Sequence, residues 1–445
     1  MNAFEDERRL NHPFAKVFRN SFYLFVMNLA TLAALFGFSV LLARSLGKET
    51  LGIYTLFTAL LMPLTFFLDF GQSTALVQEI GQGLERRDRI LRSSFFLKIL
   101  LFLPATLTLL GLAFLYFDDR TSRIWFLLFA AILIPRAAYA TFEAAMRALQ
   151  RMRELMWIAL ITGVLLLAGT WLLLRGQFPF LFVLGWLVGV ETFKAALIFW
   201  RYGRESGYSF VNRCAANDYR FAHDLARSAL PFFSLGIIGI LHDRLDVVLL
   251  VALRDVGDVG IYGAANNFVK VLRIAPSVIV AAFFPAITSM ASDQRRVHEM
   301  SRRTLWLQVG ASLILASSVF VLAEPLIAGT YRFAEAISVL RIAVWAVVPL
   351  SLYSTLIYVF FNAGRSAWNL TIVSSAVIVN LTANLILIPG YGAAALAWSS
   401  LISETFCCAL FFIAYTSLIR AEGAGGIAPH PPSVQRAPCE SDVYA

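Results

Sequence analysis

Charge is scarce in this sequence. Only 15% of its 445 residues are Asp, Glu, Lys or Arg, against about 25% in ordinary soluble domains. Histidine (5) and cysteine (4) are scarcer still, and Cys214, Cys407, Cys408 and Cys439 include no C-x-x-C pair and no accompanying histidine cluster. A zinc or redox site is therefore not indicated. Cys407 and Cys408 lie in an apolar run and read as small packing residues. No G-x-x-x-x-G-K-[ST] segment is present, which argues against a pump driven directly by ATP. Nothing calls for another cofactor. No connection between apolar runs is long enough for a separate domain, and the opening MNAFEDERRLNHPFAKVFRN lacks the short basic start and small-residue cleavage site of a secretory signal. The first apolar run is expected to stay in the mature protein.

What fills the space is hydrophobic sequence: 59% of residues, with 38 phenylalanines. A soluble chain of this length would still need a polar surface, so the excess implies that lipid replaces water over most of it. A bilayer core needs about 20 mostly apolar residues per helix. On that rule helices are predicted at about 20–44, 51–80, 92–117, 124–148, 154–174, 179–200, 228–253, 260–289, 304–323, 337–361, 367–388 and 391–418. The expected fold class is an all-α polytopic membrane protein of about twelve transmembrane helices. Residues 1–200 would form one six-helix bundle and 228–418 a second, joined by a cytoplasmic loop at 201–227. The remainder, 419–445, is rich in Gly, Ala and Pro and reads as a disordered cytoplasmic tail.

The net charge of +9 would suggest nucleic acid in a soluble protein. Here the basic residues sit in short loops, so they are topology signals and no nucleic-acid partner is expected. One side collects the clusters at 8–19, 86–92, 147–153, 201–227 and 295–303, with Arg365, Arg420 and Arg436. The other has only Arg44, Lys48, Arg120, Arg123, Arg175, Arg254 and Arg332. A ratio of about three to one places both termini in the cytoplasm.

The chain also carries an internal repeat. Residues 42–54 read LARSLGKETLGIY and residues 250–262 read LVALRDVGDVGIY, each where one apolar helix ends and Gly-Ile-Tyr opens the next. Gly52 and Gly260 suit a tight turn, and Tyr54 and Tyr262 an aromatic belt at the outer interface. Because six is even, both halves enter from the cytoplasm. The repeat is then parallel, a layout of alternating-access transporters.

These residues carry a resemblance. Asn20, Leu41-Leu42-Ala43-Arg44, Leu46-Gly47, Leu51-Gly52-Ile53-Tyr54 and Asp69-Phe70-Gly71, with Val259-Gly260-Ile261-Tyr262 and Phe284-Pro285-Ala286-Ile287, are similar to the polysaccharide transporter family, the Wzx-type flippases of lipid-linked oligosaccharides. The resemblance spans about 18–418, and its sharp motifs lie in the two hairpins. It implies a MATE-like, V-shaped pair of six-helix bundles around a central cavity in the bacterial inner membrane. It implies as cargo an undecaprenyl-pyrophosphate-linked glycan flipped outward for polymerisation, beside the polymerase and chain-length partners of a polysaccharide assembly pathway.

Ionisable groups inside a membrane are costly and tend to face a cavity or a partner. In the predicted eighth helix Asn266, Lys270, Arg273 and Ser277 form one polar stripe, with no acid within a turn of either cation. They could hold a pyrophosphate, or they could pair with Asp69 or another acid across the bundle. In the fourth helix Arg136 has no local partner, whereas Glu143 and Arg147 can pair at i, i+4. Ligand contact and buried ion pairing are both open for Arg136. Arg244 joins the candidate substrate contacts. Around it, His242, Asp243 and Asp246 form a cluster that could couple transport to protons or sodium or could simply be self-neutralised. Asp69 matches the family's acidic position and either joins that coupling set or pins its helix to a neighbour. Glu191 and Lys194 form a local i, i+3 pair. Glu404 stands alone in the last helix. Ser351, Thr355, Tyr358 and Asn362 form a further polar stripe that could glue helices or touch sugar.

A cation-coupled multidrug exporter, or an exporter of another lipid precursor, is the alternative within the same superfamily. A membrane-embedded glycan polymerase or ligase would need a substantial outer loop with catalytic Arg or His, and the outer loops here are short. The reading is therefore of a secondary transporter. Reporter fusions after about residues 48, 90, 212 and 430 check the orientation: the first is expected to report periplasm and the others cytoplasm. Periplasmic activity at 90 and 212 would overturn both the topology and the parallel repeat.

Overall fold

The computed structural model describes residues 3–82, 87–206, 217–274, 276, 279, 294–362 and 365–423. Every regular element among them is helical. In chain order the α-helices are α1 (Ala3–Asp69), α2 (Gln72–Gln82), α3 (Arg87–Tyr116), α4 (Arg120–Ala130), α5 (Leu133–Ala148), α6 (Met152–Arg175) and α7 (Phe180–Ser206). They continue as α8 (Asn217–Leu253), α9 (Val256–Leu272), α10 (Gln294–Gly329), α11 (Glu335–Ala343), α12 (Val347–Asn362), α13 (Ser366–Tyr391) and α14 (Ala393–Gly423).

Among the described residues nine helical segments are long and apolar enough to cross a membrane. The first of them, Arg19–Ile80, has 62 residues. At 1.5 Å per residue it would run about 93 Å, three times the ~30 Å of a hydrocarbon core. It cannot be one crossing. Gly47 breaks it at φ 86°, ψ 179°, a backbone conformation that only glycine adopts without strain. With α8 and α9 added, the described residues of each of the twelve predicted segments are largely helical, the eighth being described mainly in its first half. Exposed Ile99, Leu103, Ile314 and Ile386 show helices that are apolar on their outer faces too, as lipid requires. Thr55, Thr65 and Thr106 turn their hydroxyls back to the carbonyl four residues earlier, so these polar atoms need no water. Outside the apolar segments, Asp119 accepts the Ser122 N–H at 2.7 Å and caps α4. That backbone hydrogen bond holds its carboxyl below the usual range, so the cap persists at neutral pH and weakens only as pH falls through the lowered value.

Packing divides the chain into two compact units, Met1–Ala264 with Thr330–Arg332, and Ala265–Gly329 with Phe333–Ala445. In the first, α8 packs on α1, α2 and α3. Its core sets Tyr139, Phe142 and Met146 of α5 against Leu76, Ile90, Leu155 and Tyr202, and Phe57 meets the rings of Phe117, Phe126 and Phe129. In the second, Leu305, Leu356, Phe360, Phe411 and Tyr415 form the core. The packing boundary falls inside α9. Most of the described part of 201–227, expected as loop, is helical: α7 runs to Ser206 and α8 starts at Asn217. The last helix reaches Gly423, beyond the expected 418. Phe284-Pro285-Ala286-Ile287, Ser277, Cys214, Cys439 and the tail from 424 lie outside the described residues.

The repeated Gly-Ile-Tyr segments meet each other, and not as expected. The turn of the first hairpin is at Gly47, three residues before the apolar run resumes, and Gly52 lies inside the helix. A Cβ on Gly52 would stand 1.9 Å from the carbonyl oxygen of Val256, and a Cβ on Gly260 would stand 2.0 Å from that of Lys48. Each glycine thus faces the carbonyl four residues ahead of the other, a reciprocal contact in which two helix starts touch backbone to backbone. Small residues permit such approach between membrane helices. The tyrosines are not an interfacial belt either. Tyr54 packs on Phe38 at 5.1 Å and Phe129 at 5.9 Å, and Tyr262 is buried.

Adding a methyl group at this contact must displace backbone. Gly52→Ala and Gly260→Ala are each expected to destabilise the detergent-purified protein by about 1–3 kcal/mol. Gly111→Ala, where nothing lies within 4 Å, should be neutral or slightly stabilising. Thermal unfolding that ranks all three alike would refute the contact.

Candidate functional site

Among the described residues, the charged side chains nominated from the sequence fall in four clusters inside the apolar helices, three in the first unit and one in the second. The first begins with a helix break. Phe70 (φ 49°) and Gly71 (φ 71°) are left-handed, which ends α1 at Asp69. The Phe70 ring is held against Phe233 at 4.5 Å. Asp69 then accepts the backbone N–H and the hydroxyl of Ser73 at 3.3 and 2.7 Å, capping α2. It also receives Lys98 of α3 at 3.4 Å. Lys98 is 5% exposed, and its ammonium donates to the Ala137 carbonyl at 2.9 Å and the Thr141 hydroxyl at 2.6 Å. Ser94 and Gln72 extend the network at 2.7 Å. Asp69 therefore ties α1, α2, α3 and α5 together, the pinning role rather than a free carboxylate. Lys98 was a charge in an apolar run that sequence reasoning passed over, although its isolation there was signal enough.

One residue before Ala137, Arg136 reaches across to α7 and meets Glu191 at 3.3 Å. Lys194 meets the same carboxylate at 3.9 Å and lies over the Tyr139 ring at 4.2 Å. Two cations share one acid, so this cluster keeps one net positive charge among the described residues. The expectation that Arg136 lacks a neighbouring acid within its own helix holds. Its partner comes from a different helix, which no i, i+4 spacing could reveal. Glu143 and Arg147 pair within α5 as expected. The charges of Arg136, Glu191 and Arg244 all act on the Tyr54 hydroxyl, so two of the sequence-nominated cations converge on that tyrosine.

The third place is α8. Asp246 is 5% exposed and accepts the Val247 N–H at 2.8 Å and the Tyr262 hydroxyl at 3.2 Å. His242 and Asp243 lie four and three residues before it on the same helix. Asp243 itself is exposed. Arg244 points an Nη to the Met62 sulfur at 2.9 Å, and its buried Nε has no hydrogen-bond partner among the described residues. The repeat sharpens this picture. The offset that maps Gly52 to Gly260 and Tyr54 to Tyr262 also maps Phe38 to Asp246. Where the first hairpin packs a tyrosine on a phenylalanine, the second bonds a tyrosine to a buried carboxylate.

In the second unit Asn266 and Lys270 lie on the last part of α9 and Arg273 just beyond its end, and Arg273 is not alone. It meets Glu404 of α14 at 3.6 Å. Glu404, buried, also accepts the Tyr353 hydroxyl at 2.6 Å. Of the two readings left open for Arg273 this is the pairing with an acid across the bundle, and it gives Glu404, which stood alone in the sequence, a partner from a helix far away in the chain. Lys270 donates to Asn267 at 3.0 Å, and Asn266 is half-buried. In the tenth predicted helix Thr355 accepts Gln308 at 2.8 Å and Ser351 bonds its own backbone, the gluing role. Tyr358 is exposed. A polar ladder that sequence reasoning missed, Asn380, Asn384, Ser399 and Ser403, joins α13 to α14. Its i, i+4 spacing on both helices was the available sign. Among the described residues no group of three or more His, Cys, Asp or Glu could hold a metal ion.

With this geometry in place, comparison with known proteins is decisive about family. The model of the family described as polysaccharide biosynthesis protein matches residues 17–291, more than half of the chain. This chain belongs to that family. A comparison with curated proteins finds no match. Among solved structures the family member is similar to the lipid II flippase MurJ in an inward closed conformation, at 13% identity over 90% of this chain and 87% of that one, TM-score 0.70. It is similar to an inward-facing multidrug resistance MATE transporter of the MOP superfamily at 14% identity, 89% and 96% coverage, TM-score 0.73. A MOP superfamily transporter from Pyrococcus furiosus, whose title reports a binding pocket of reverse polarity, aligns at 13% identity, 91% and 96% coverage, TM-score 0.56. The fold of this polysaccharide biosynthesis family member is thus the MATE-like helical fold of membrane transporters, and the protein is a multi-pass membrane protein.

The Arg273–Glu404 pair offers a clean test of its structural share. Arg273→Gln strips a buried carboxylate of its cation and is expected to cost on the order of 3 kcal/mol, lowering the amount of protein in the membrane. Combining it with Glu404→Gln should restore that amount. A double variant as depleted as the single one would refute the pairing.

Proposed function

We propose that this protein is a flippase that moves a polyprenyl-pyrophosphate-linked oligosaccharide from the cytoplasmic to the periplasmic leaflet by alternating access, for polysaccharide biosynthesis. The observation that carries this reading is the surplus positive charge of Arg136, Glu191 and Lys194 inside membrane-crossing helices. A net cation in lipid is expensive, and an anionic headgroup offsets that cost. A pyrophosphate suits guanidinium and ammonium donors. Arg136 and Arg244 in the first unit, and Asn266, Lys270 and Arg273 in the second, are the proposed substrate contacts. Coupling to protons or sodium falls to Asp246 with Asp243. Asp69 is the weakest member of that set, since Lys98 and Ser73 already engage it. On this reading the protein acts in the bacterial inner membrane with both termini in the cytoplasm, beside the polymerase and chain-length proteins of its pathway.

A multidrug exporter would need an acid kept for a cationic drug. Glu191 and Glu404 are each met by cations, and the surplus charge beside Glu191 favours the anionic cargo, with Asp246 left for the coupling ion.

Either Arg136→Gln or Lys194→Gln removes the surplus charge while leaving Glu191 one partner. Both are expected to reach the membrane at normal level and to lower export of the lipid-linked glycan about tenfold or more, a change of about 1.4 kcal/mol in the barrier. Lys194→Arg should retain export. Normal export in both Gln variants would defeat the anion-site reading. In the same vesicles Asp246→Asn should flatten the dependence of transport on a pH or sodium gradient, and an unchanged dependence would make Asp246 structural.

A further inference from the structure

A cavity of about 760 Å³ lies in the second unit. Its volume falls in the ~300–1,000 Å³ range of small-molecule sites. α10 and α14 each pack on α12, and the cleft lies between them. Its walls are Leu305, Trp306 and Val309 of α10, with Phe412, Tyr415 and Ile419 of α14. Leu352 of α12 forms the floor. The cleft is built rather than incidental. Leu305 and Tyr415 are anchored in the core with Leu356, Phe360 and Phe411, and Gln308 is bonded to Thr355 on the adjoining helix. Trp306, 71% exposed, stands at the rim.

Polarity is ordered along this cleft. Glu299 and Arg302 line one end, and everything beyond them is apolar or aromatic. Glu299 is already engaged by Arg303 at 2.6 Å, so Arg302 gives the mouth its net charge. From Glu299 to Val309 the helix rises about 15 Å, half of a ~30 Å hydrocarbon core. The charged end sits near the start of α10 and the end of α14, where the loop charges place the cytoplasm. A site with one cation at a membrane surface and an apolar trough one leaflet deep matches an amphiphile with an anionic head and a long chain.

The geometry points to this cleft as the seat of the polyprenyl chain of the cargo's lipid carrier, with the chain lying along Trp306, Val309 and Phe412 and Arg302 at the mouth as the first cation its pyrophosphate meets on the way to the intramembrane charges. The assignment rests on the flippase reading above, and it adds a tail site separate from the intramembrane charges. Holding the chain here would keep the lipid anchor on the inner-leaflet side of the protein while the head is exchanged elsewhere. An ordinary anionic phospholipid is the competing occupant, and the test separates the two.

The full-length protein is placed in nanodiscs of phosphatidylcholine with a polyprenyl phosphate bearing a photoreactive group in its chain and no sugar. Labelled peptides are expected to contain 302–309 and 412–419. Unlabelled polyprenyl phosphate should displace the probe at concentrations about tenfold or more below those of phosphatidylglycerol. Val309→Trp or Leu352→Trp, each filling the trough, should cut labelling about fivefold or more, and Arg302→Gln should weaken it less. Two trough variants are used so that one misfolded protein does not decide the matter, with thermal unfolding as the check on each. Equal competition by phosphatidylglycerol would show an ordinary lipid site and overturn the proposal. Labelling elsewhere, or labelling untouched by folded trough variants, would overturn it as well. Because the probe carries no glycan, labelling of the native protein together with no glycan export by it counts against the flippase reading alone. Export that persists without labelling counts against the cleft alone.

Discussion

Two helix starts that touch where neither carries a side chain set the terms for much of the first unit. Lipid tails are as apolar as leucine, so nothing like the hydrophobic effect in water drives membrane helices together, and close packing has to do it. The reciprocal approach of Gly52 to Val256 and Gly260 to Lys48 is that packing at its tightest. It requires the preceding helix to stop at once, which Gly47 accomplishes with a positive φ. It also sets the direction of the neighbouring side chains. With Gly52 and Gly260 face to face, Tyr54 and Tyr262 two residues on are carried inward, one onto Phe38 and Phe129 and the other onto Asp246. The repeat is thus a contact as well as a pattern, because the same two residues that identify it are the ones that touch.

Around this frame the intramembrane charges obey a simple rule. Each buried acid is met by a cation or a hydroxyl from another helix. Lys98 reaches Asp69, Arg273 reaches Glu404, and Tyr262 reaches Asp246. Such partners hold crossings in register and cost less than an isolated charge in lipid. Leaving one member without the other is the expensive case. Among the described residues Arg136, Glu191 and Lys194 depart from the rule by one positive charge.

How much of this could be seen in the residues alone depends on the range of each signal. Helix existence is a local property, and among the described residues the apolar runs fall on helices, whereas three starts lie ten residues or more ahead of the apolar run, at Ala3, Asn217 and Gln294, because polar residues extend a helix beyond the bilayer core without an apolar signal. Glu143 with Arg147 was legible because i, i+4 geometry lies within one helix. The partner of Arg273 was not, since Glu404 is brought to it by the packing of helices distant in sequence. Gly52 was misplaced for an instructive reason. A glycine beside a loop reads as a turn, while close backbone approach leaves the same residue and no further trace. The tyrosines were misplaced with it, because their inward direction depends on which face the glycines present. Asp69-Phe70-Gly71 was recognised as a motif, but its work in ending one helix and capping the next depends on positive φ at Phe70, which no preference of phenylalanine foretells.

The two hairpins, finally, are alike enough for their difference to carry meaning. A repeat that began as two equal copies has no packing reason to replace a ring by a carboxylate at one of two matched positions. Phe38 fills its place with dispersion contacts and needs nothing more. Asp246, in the corresponding place, must be desolvated and then hydrogen-bonded by Val247 and Tyr262 to be tolerated at all. A structure built only for stability would favour the phenylalanine at both sites. The carboxylate is worth its desolvation if it does something a ring cannot, and changing its charge with a bound proton or cation is what a carboxylate adds.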